Sequence, residues 1–335
     1  MIKKPLLLSI ALVLLVGGGY WLITNQEIAR NFISPLSDQP KEIKPKPLQK
    51  YSFENLKNRD YPGSKITLEK VIKEEEKYTS WLFSYLTDDK KVTGMLNLPL
   101  TPKSSLLPLI VMIRGYADDE IYFTGLGTRN SAAKFAENKF ITLAPDFLGF
   151  GGSDSPSADI LESRFYRPVT VLNLIASIKN LPQADPEKIF LWGHSNGGQI
   201  ALSVLEISGK GYPTTLWAPV TEKFPDSVLC YMDDYEKLDQ LGKEVYDKIS
   251  GFEKDYQASQ FSTETFLNDI AAPIQLHQGG ADNLVPQKWS DDFVDQMKSL
   301  DKEINYFVYP ESDHNLKQDW DQVVERDLEF FKSFL

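Results

Sequence analysis

The run Ile189-Phe190-Leu191-Trp192-Gly193-His194-Ser195-Asn196-Gly197-Gly198-Gln199-Ile200-Ala201-Leu202 passes from an apolar strand, through a serine flanked by glycines, into an apolar helix. A sharp strand-to-helix turn forces such a serine into a strained backbone conformation. Glycines on either side remove the clashes, and the hydroxyl projects above a sheet at a helix N-terminus. The Gly-x-Ser-x-Gly spacing by itself is a weak signal. A strand before it and a helix after it make the signal specific.

Outward from this turn, the apolar runs Leu107–Ile113, 140–144, 188–192, Thr214–Trp217, 274–278 and Ile304–Tyr309 alternate with helical stretches near 131–138, 169–179, 197–206, 287–300 and 319–335. Runs that stay apolar without alternation suit strands covered on both faces, and repeated strand-then-helix order means a parallel sheet with right-handed crossovers. Before them, residues 66–72, 78–85 and 91–98 are rich in β formers between charged turns and read as an antiparallel meander. The expected fold is α/β, a mostly parallel central sheet with an antiparallel N-terminal part. Between 220 and 266 the strand signal stops, and Tyr231, Tyr235, Tyr246, Phe252 and Tyr256 lie among acids and lysines. That segment reads as a helical cap insertion, placed to overhang the strand carboxyl ends where open α/β sheets bind ligands.

A serine hydroxyl becomes a nucleophile when a base takes its proton, and the base needs an acid to hold its tautomer. In a fold of this class the chain order is serine, acid, histidine. One loop after a strand reads Gln278-Gly279-Gly280-Ala281-Asp282-Asn283, and the loop after the last strand reads Tyr309-Pro310-Glu311-Ser312-Asp313-His314. The candidate catalytic residues are therefore Ser195, Asp282 and His314. Of the other histidines, His194 lies inside the turn with its side chain directed away from the nucleophile, and His277 lies within a strand. Both read as packed side chains. Asp313 and Glu311 stand too near His314 in sequence for the usual geometry and read as solvated loop charges. Cys230 has no histidine beside it and reads as a small hydrophobe. The oxyanion formed on attack needs preorganised N–H donors. The candidates are the backbone N–H of Asn196 and, in the loop Arg114-Gly115-Tyr116-Ala117-Asp118-Asp119, that of Tyr116.

Composition removes other classes. The chain has 335 residues, a formal charge of -11, one cysteine and three histidines. A disulfide framework is impossible, no thiolate zinc site or other metal centre is implied, and no cofactor motif is present. An acidic chain also lacks the basic face that phosphate backbones require, so nucleic acid is not an expected partner.

At the N-terminus Lys3 and Lys4 precede an uncharged stretch from 5 to 23. As a helix it would span about 28 Å at about 1.5 Å per residue, close to a bilayer core. Residues 1–25 are therefore expected to form a single-pass membrane anchor with the remainder extracytoplasmic, or a signal segment whose cleavage would release a secreted protein. Residues 26–64, rich in proline and lysine from 34 to 49, are expected to be a linker, and residues 65–335 the folded domain.

The motifs resemble the α/β-hydrolase superfamily and, within it, the catalytic domain of the prolyl oligopeptidase (S9) serine peptidases, the dipeptidyl and acylaminoacyl peptidase branch. The residues that carry the resemblance are the Trp192-Gly193-His194-Ser195-Asn196-Gly197-Gly198 turn, Ala144-Pro145-Asp146 with Gly149-Phe150-Gly151, Leu276-His277-Gln278-Gly279 before Asp282, and Tyr309-Pro310 before His314. It covers roughly residues 107–335. Two departures stand out. Arg114-Gly115-Tyr116 replaces the usual His-Gly or Gly-Gly of the oxyanion loop, and where family peptidases carry a large N-terminal propeller that limits them to short peptides, about 60 residues separate the expected tether from the first core strand. The resemblance implies a serine peptidase acting on short peptides through an acyl enzyme on Ser195. A carboxylesterase on the same fold is the alternative within the class, and a catalytically inactive binding protein the alternative outside it.

Overall fold

The computed structural model describes residues 45–101, 106–232 and 235–335. Within them β1 (Thr67–Glu74), β2 (Tyr78–Thr87) and β3 (Lys90–Pro99) form the antiparallel meander. The strands β4 (Leu107–Ile113), β5 (Ile141–Pro145), β6 (Ala184–His194), β7 (Thr214–Trp217), β8 (Ile274–Gly279) and β9 (Ile304–Tyr309) pair parallel. β3 joins the two parts by an antiparallel pairing with β5. The order is β1-β2-β3-β5-β4-β6-β7-β8-β9. The chain leaves β4 for β5 on one side and returns to β6 on the other. The carboxyl ends of β4 and β6 therefore flank the crevice in which open sheets bind ligands.

Helices cover both faces. On one lie α1 (Phe53–Lys57), α3 (Ile160–Ser177), α4 (Asn196–Ser208) and α7 (Gln287–Ser299), and on the other α2 (Arg129–Glu137) and α8 (Trp320–Lys332). In α8 the buried positions Val323, Val324, Asp327, Phe330 and Phe331 recur at helical spacing, and Phe331 meets Phe135, Phe140 and Phe190 edge-on or tilted. The helix α4, which follows Ser195, is different. Nearly every side chain from Ile200 to Ile207 is buried, so it is an interior helix and not an amphipathic one.

One of those interior side chains is Glu206, 1% exposed, with neither carboxylate oxygen partnered among the described residues. Burial, with Asp269 nearby, pushes its carboxyl well above the ordinary glutamate value. A raised folded pKa stabilises fully below the unfolded value of about 4.5, and that stability is lost as pH rises through the window up to the folded value. Glu206→Gln is accordingly expected to leave the melting temperature unchanged at pH 4. At pH 8 it should raise it, by about 2 to 4 °C for each kcal/mol recovered. A pair of thermal denaturation curves at the two pH values checks this, and equal shifts at both would contradict it.

Three expectations are corrected. Residues 46–64 are not a free linker, because Leu48, Tyr51, Phe53 and Leu56 are buried and Phe53 stacks on Phe266 at 4.9 Å. The helix expected from 169 begins at Ile160 and runs through Pro168. Proline normally breaks a helix by removing one N–H and crowding the carbonyl four residues back, yet here the helix continues through it. The expected membrane anchor in 1–25 lies outside the described residues. Among those described, no helix is long and apolar enough to cross a membrane, and single-pass anchoring with an extracytoplasmic domain is withdrawn as an assignment.

The segment from Val220 onward contains α5 (Asp226–Leu229), α6 (Gln240–Ser250) and short 3-10 turns extending to Asp269. Its core is aromatic. Phe224, Phe252 and Phe261 pack around Phe165 of α3 with ring centroids 5.0 to 5.7 Å apart. The Leu48 N–H donates to the Tyr256 hydroxyl at 3.2 Å, so the residues before α1 strap this segment from outside.

Candidate active site

The site is assembled from the carboxyl ends of β4, β6, β8 and β9. Ser195 follows β6 with φ 55° and ψ −124°, a left-handed conformation that costs a non-glycine residue of order 1 to 3 kcal/mol. The strain is held by backbone bonds on both sides. The Ser195 N–H donates to the Trp217 carbonyl at 2.9 Å, and the Ser195 carbonyl accepts from Gly198 N–H at 2.9 Å and Val220 N–H at 3.1 Å. Glycine is needed where α4 passes the end of β4. A Cβ at Gly197 would stand 2.0 Å from the Ile113 carbonyl oxygen.

His314 and Asp282 meet across the loops after β9 and β8. The His314 Nδ1–H donates to Asp282 Oδ2 at 2.8 Å, with the carboxylate fully buried and the imidazole 11% exposed. Burial alone would raise the Asp282 carboxyl. The bond from His314 and those from the Leu284 and Val285 N–H groups, at 2.8 and 2.9 Å, more than offset it and hold the carboxyl below the ordinary aspartate value. The pair therefore consists of an ionised acid and an imidazole whose tautomer is set, with Nε2 left to accept a proton.

His194 holds the His314 loop in place. Its Nε2–H donates to the His314 carbonyl oxygen at 3.0 Å, and the two rings lie 4.8 Å apart. Burial, with the neighbouring His314, lowers its pKa to about 4, so at neutral pH it stays an uncharged donor. This brings His314 against the residue that precedes Ser195. As expected, His277 is packed in the interior. It bonds to Asp327, Gln275 and the Tyr309 hydroxyl, away from the Ser195 turn.

After β4 the chain approaches Ser195 closely. A Cβ at Gly115 would lie 2.9 Å from the Ser195 Cβ and 3.4 Å from its Oγ. Tyr116 is next, 77% exposed and with its N–H without an acceptor among the described residues. Asn196 is the first residue of α4, where N–H groups have no partner within the helix. Arg114, read from the sequence only as a departure, is a clamp for this loop. Its guanidinium is buried, donates to the Gly115 carbonyl at 2.9 Å and the Asp146 carbonyl at 3.0 Å, and lies over Phe150 at 4.2 Å and Tyr122 at 4.6 Å. Carbonyl and N–H point opposite ways across a planar trans peptide. Fixing the Gly115 carbonyl therefore fixes the direction of the Tyr116 N–H.

Two family models match the chain, one described as the prolyl oligopeptidase family over residues 170–335 and one as the alpha/beta hydrolase fold over 108–210. A putative carboxymethylenebutenolidase of Escherichia coli strain K12 is 24% identical over 268 residues, which covers 74% of this chain and 89% of that protein. Among solved structures, acetyl xylan esterase 1 from a Thermoanaerobacterium species superposes with a TM-score of 0.60 at 15% identity, covering 85% of this chain and 94% of that one. The Pyrococcus horikoshii acylaminoacyl peptidase superposes with a TM-score of 0.59 at 18% identity, covering 78% of this chain and 42% of the peptidase. The fold is that of the α/β-hydrolases, and the protein is a serine hydrolase of the peptidase or esterase kind. Within that class it resembles the catalytic part of the prolyl oligopeptidase family.

Proposed function

We propose that this serine hydrolase cleaves small carboxylic esters through an acyl enzyme on Ser195. The observation that carries the acyl-enzyme chemistry is the 2.8 Å bond between His314 and a buried Asp282, on the loops beside a strained Ser195. In this reading Ser195 Oγ attacks the substrate carbonyl carbon while His314 Nε2 takes its proton, and Asp282 stabilises the imidazolium. The N–H groups of Asn196 and Tyr116 receive the oxyanion, and Arg114 keeps the second of them aimed. His314 then protonates the departing alcohol, and a water repeats the sequence to free the acid and restore Ser195.

The ester reading is placed first because of how the matches distribute over the matched proteins. The chain spans 94% of an acetyl xylan esterase and 42% of an acylaminoacyl peptidase. The peptide reading stands second, supported by the prolyl oligopeptidase model over 170–335. The test compares kcat/KM for a short-chain nitrophenyl ester with that for an aminoacyl or dipeptidyl nitroanilide, with Ser195→Ala as blank. Ester turnover with amide cleavage weaker by about 10³-fold or more is expected. Efficient Ser195-dependent amide cleavage would reverse the order, and turnover undiminished in the blank would remove both.

A further inference from the structure

The part of α3 that precedes Pro168 carries Arg164 and Arg167, three residues apart and hence on one helical face. Both are half-buried, and among the described residues neither pairs with a carboxylate. Among the described residues Arg164 makes one bond, from its Nη2 to Gln199 Oε1 of α4 at 2.6 Å, and the Arg167 guanidinium makes none. Burial, with Arg167 beside it, lowers the Arg164 pKa to about 9, and burial with Arg114 nearby lowers that of Arg167 to about 10. Both therefore remain cations at neutral pH while repelling each other. Half-buried charge of one sign with no counter-charge is an unfavourable arrangement for the chain alone.

Its position explains what could relieve it. Arg164 and Arg167 line a space of about 40 Å³ together with Asn196 and Gln199. Arg167 also lines a second cavity, of about 690 Å³, together with Tyr116 and Phe150. Arg167 thus lines one space with Asn196 and another with Tyr116, the two residues whose N–H groups are the candidate oxyanion donors. The smaller space exceeds the roughly 10 to 15 Å³ that one water needs, so it has room for a small polar group. Guanidinium forks match carboxylates in shape as well as charge. Asp118, Asp119, Glu120 and Asp239 also line the larger cavity, but none of them pairs with either guanidinium.

We propose that Arg164 and Arg167 form a binding site for a carboxylate carried by the substrate's acyl group, so that the preferred substrates are half-esters of short dicarboxylic acids. The catalytic part of this statement rests on the acyl-enzyme reading above, and the binding part stands apart from it. A neutral acyl chain would leave both cations unmatched, and a peptide's free N-terminal ammonium would meet like charge. The carboxylate of a four-carbon diacid lies two methylenes from the scissile carbonyl, a reach that suits a site adjoining both oxyanion donors.

The experiment measures kcat/KM for mono-nitrophenyl succinate and for nitrophenyl butyrate, which differ by the terminal carboxylate, in wild type, Arg167→Gln, Arg164→Gln and Arg167→Lys. Wild type is expected to favour the half-ester by about 10-fold or more, and each glutamine variant to reduce that preference by about 10- to 100-fold. Arg167→Lys keeps the charge without the fork and should fall between. A wild-type preference for butyrate, or a ratio unchanged in the glutamine variants, would overturn the proposal. Binding is read without turnover by titrating monomethyl succinate into Ser195→Ala by calorimetry. Saturable binding abolished in Ser195→Ala/Arg167→Gln supports the site even if the hydrolytic reading fails, whereas equal binding by the two overturns it. Loss of fluorophosphonate labelling at Ser195 in otherwise folded wild-type protein would count against the acyl-enzyme reading alone.

Discussion

Ser195→Ala is expected to lower kcat/KM on a short-chain nitrophenyl ester by about 10⁴- to 10⁶-fold and to abolish labelling by a fluorophosphonate probe. Two physical features set the size. The serine is held at φ 55° by bonds from and to its own peptide groups, so the turn and helix α4 do not depend on the hydroxyl. Removing it therefore deletes the nucleophile and leaves the fold, the donors and the histidine in place. What remains is whatever the N–H groups of Asn196 and Tyr116 contribute to direct attack by water, a small residue of the whole. Circular dichroism superimposable on wild type is part of the expected result. A variant that is folded and still turns over at more than about a hundredth of the wild-type rate would show that another group is the nucleophile.

The second large effect is at the acid. Asp282→Asn is expected to lower kcat by about 10³- to 10⁴-fold at neutral pH with the site geometry intact. The buried carboxylate now accepts the His314 Nδ1–H at 2.8 Å, and an amide at that place offers N–H as readily as C=O. The imidazole then turns its proton to Nε2, where it cannot act as a base toward Ser195. The same carboxylate also gives a sign for stability. Its folded pKa is depressed, so its contribution is present above the unfolded aspartate value near 3.9 and is lost as pH falls through the lower folded value. Asp282→Asn should therefore flatten the acid limb of the stability curve. Denaturant midpoints from pH 2 to pH 6 for both proteins check it, and parallel curves would mean that Asp282 is not the ionised partner of His314.

Much of this could be read from local pattern. The strand, glycine-flanked serine and helix around Ser195 form a contiguous signature, and the parallel strands were continuous apolar runs because both faces of the sheet are covered. The order serine, acid, histidine then pointed to Asp282 and His314, since a loop after a strand in such a sheet ends on the same edge as every other. Where a competing local rule existed, it misled. Pro168 hid the first half of α3, and the prolines and lysines before residue 50 hid the packing of Leu48, Tyr51 and Phe53. In both places burial of neighbouring apolar side chains outweighed the propensity that argued against order.

By itself, then, the sequence determined the sheet, the position of the Ser195 turn and the candidate acid and histidine, because each of these is marked within a few consecutive residues. Only the tertiary structure decided that Arg114 clamps the Gly115 carbonyl, that His194 holds the His314 loop, and that Arg164 and Arg167 line a space with Asn196 and meet no carboxylate among the described residues. Those facts depend on partners 32, 120 and 35 residues apart in the chain, as in the Arg114–Asp146, His194–His314 and Arg164–Gln199 bonds. An arginine's spacing in sequence carries no record of whether a carboxylate folds back to meet it. Among the described residues none meets Arg164 or Arg167, and it is there that the choice of substrate is expected to lie.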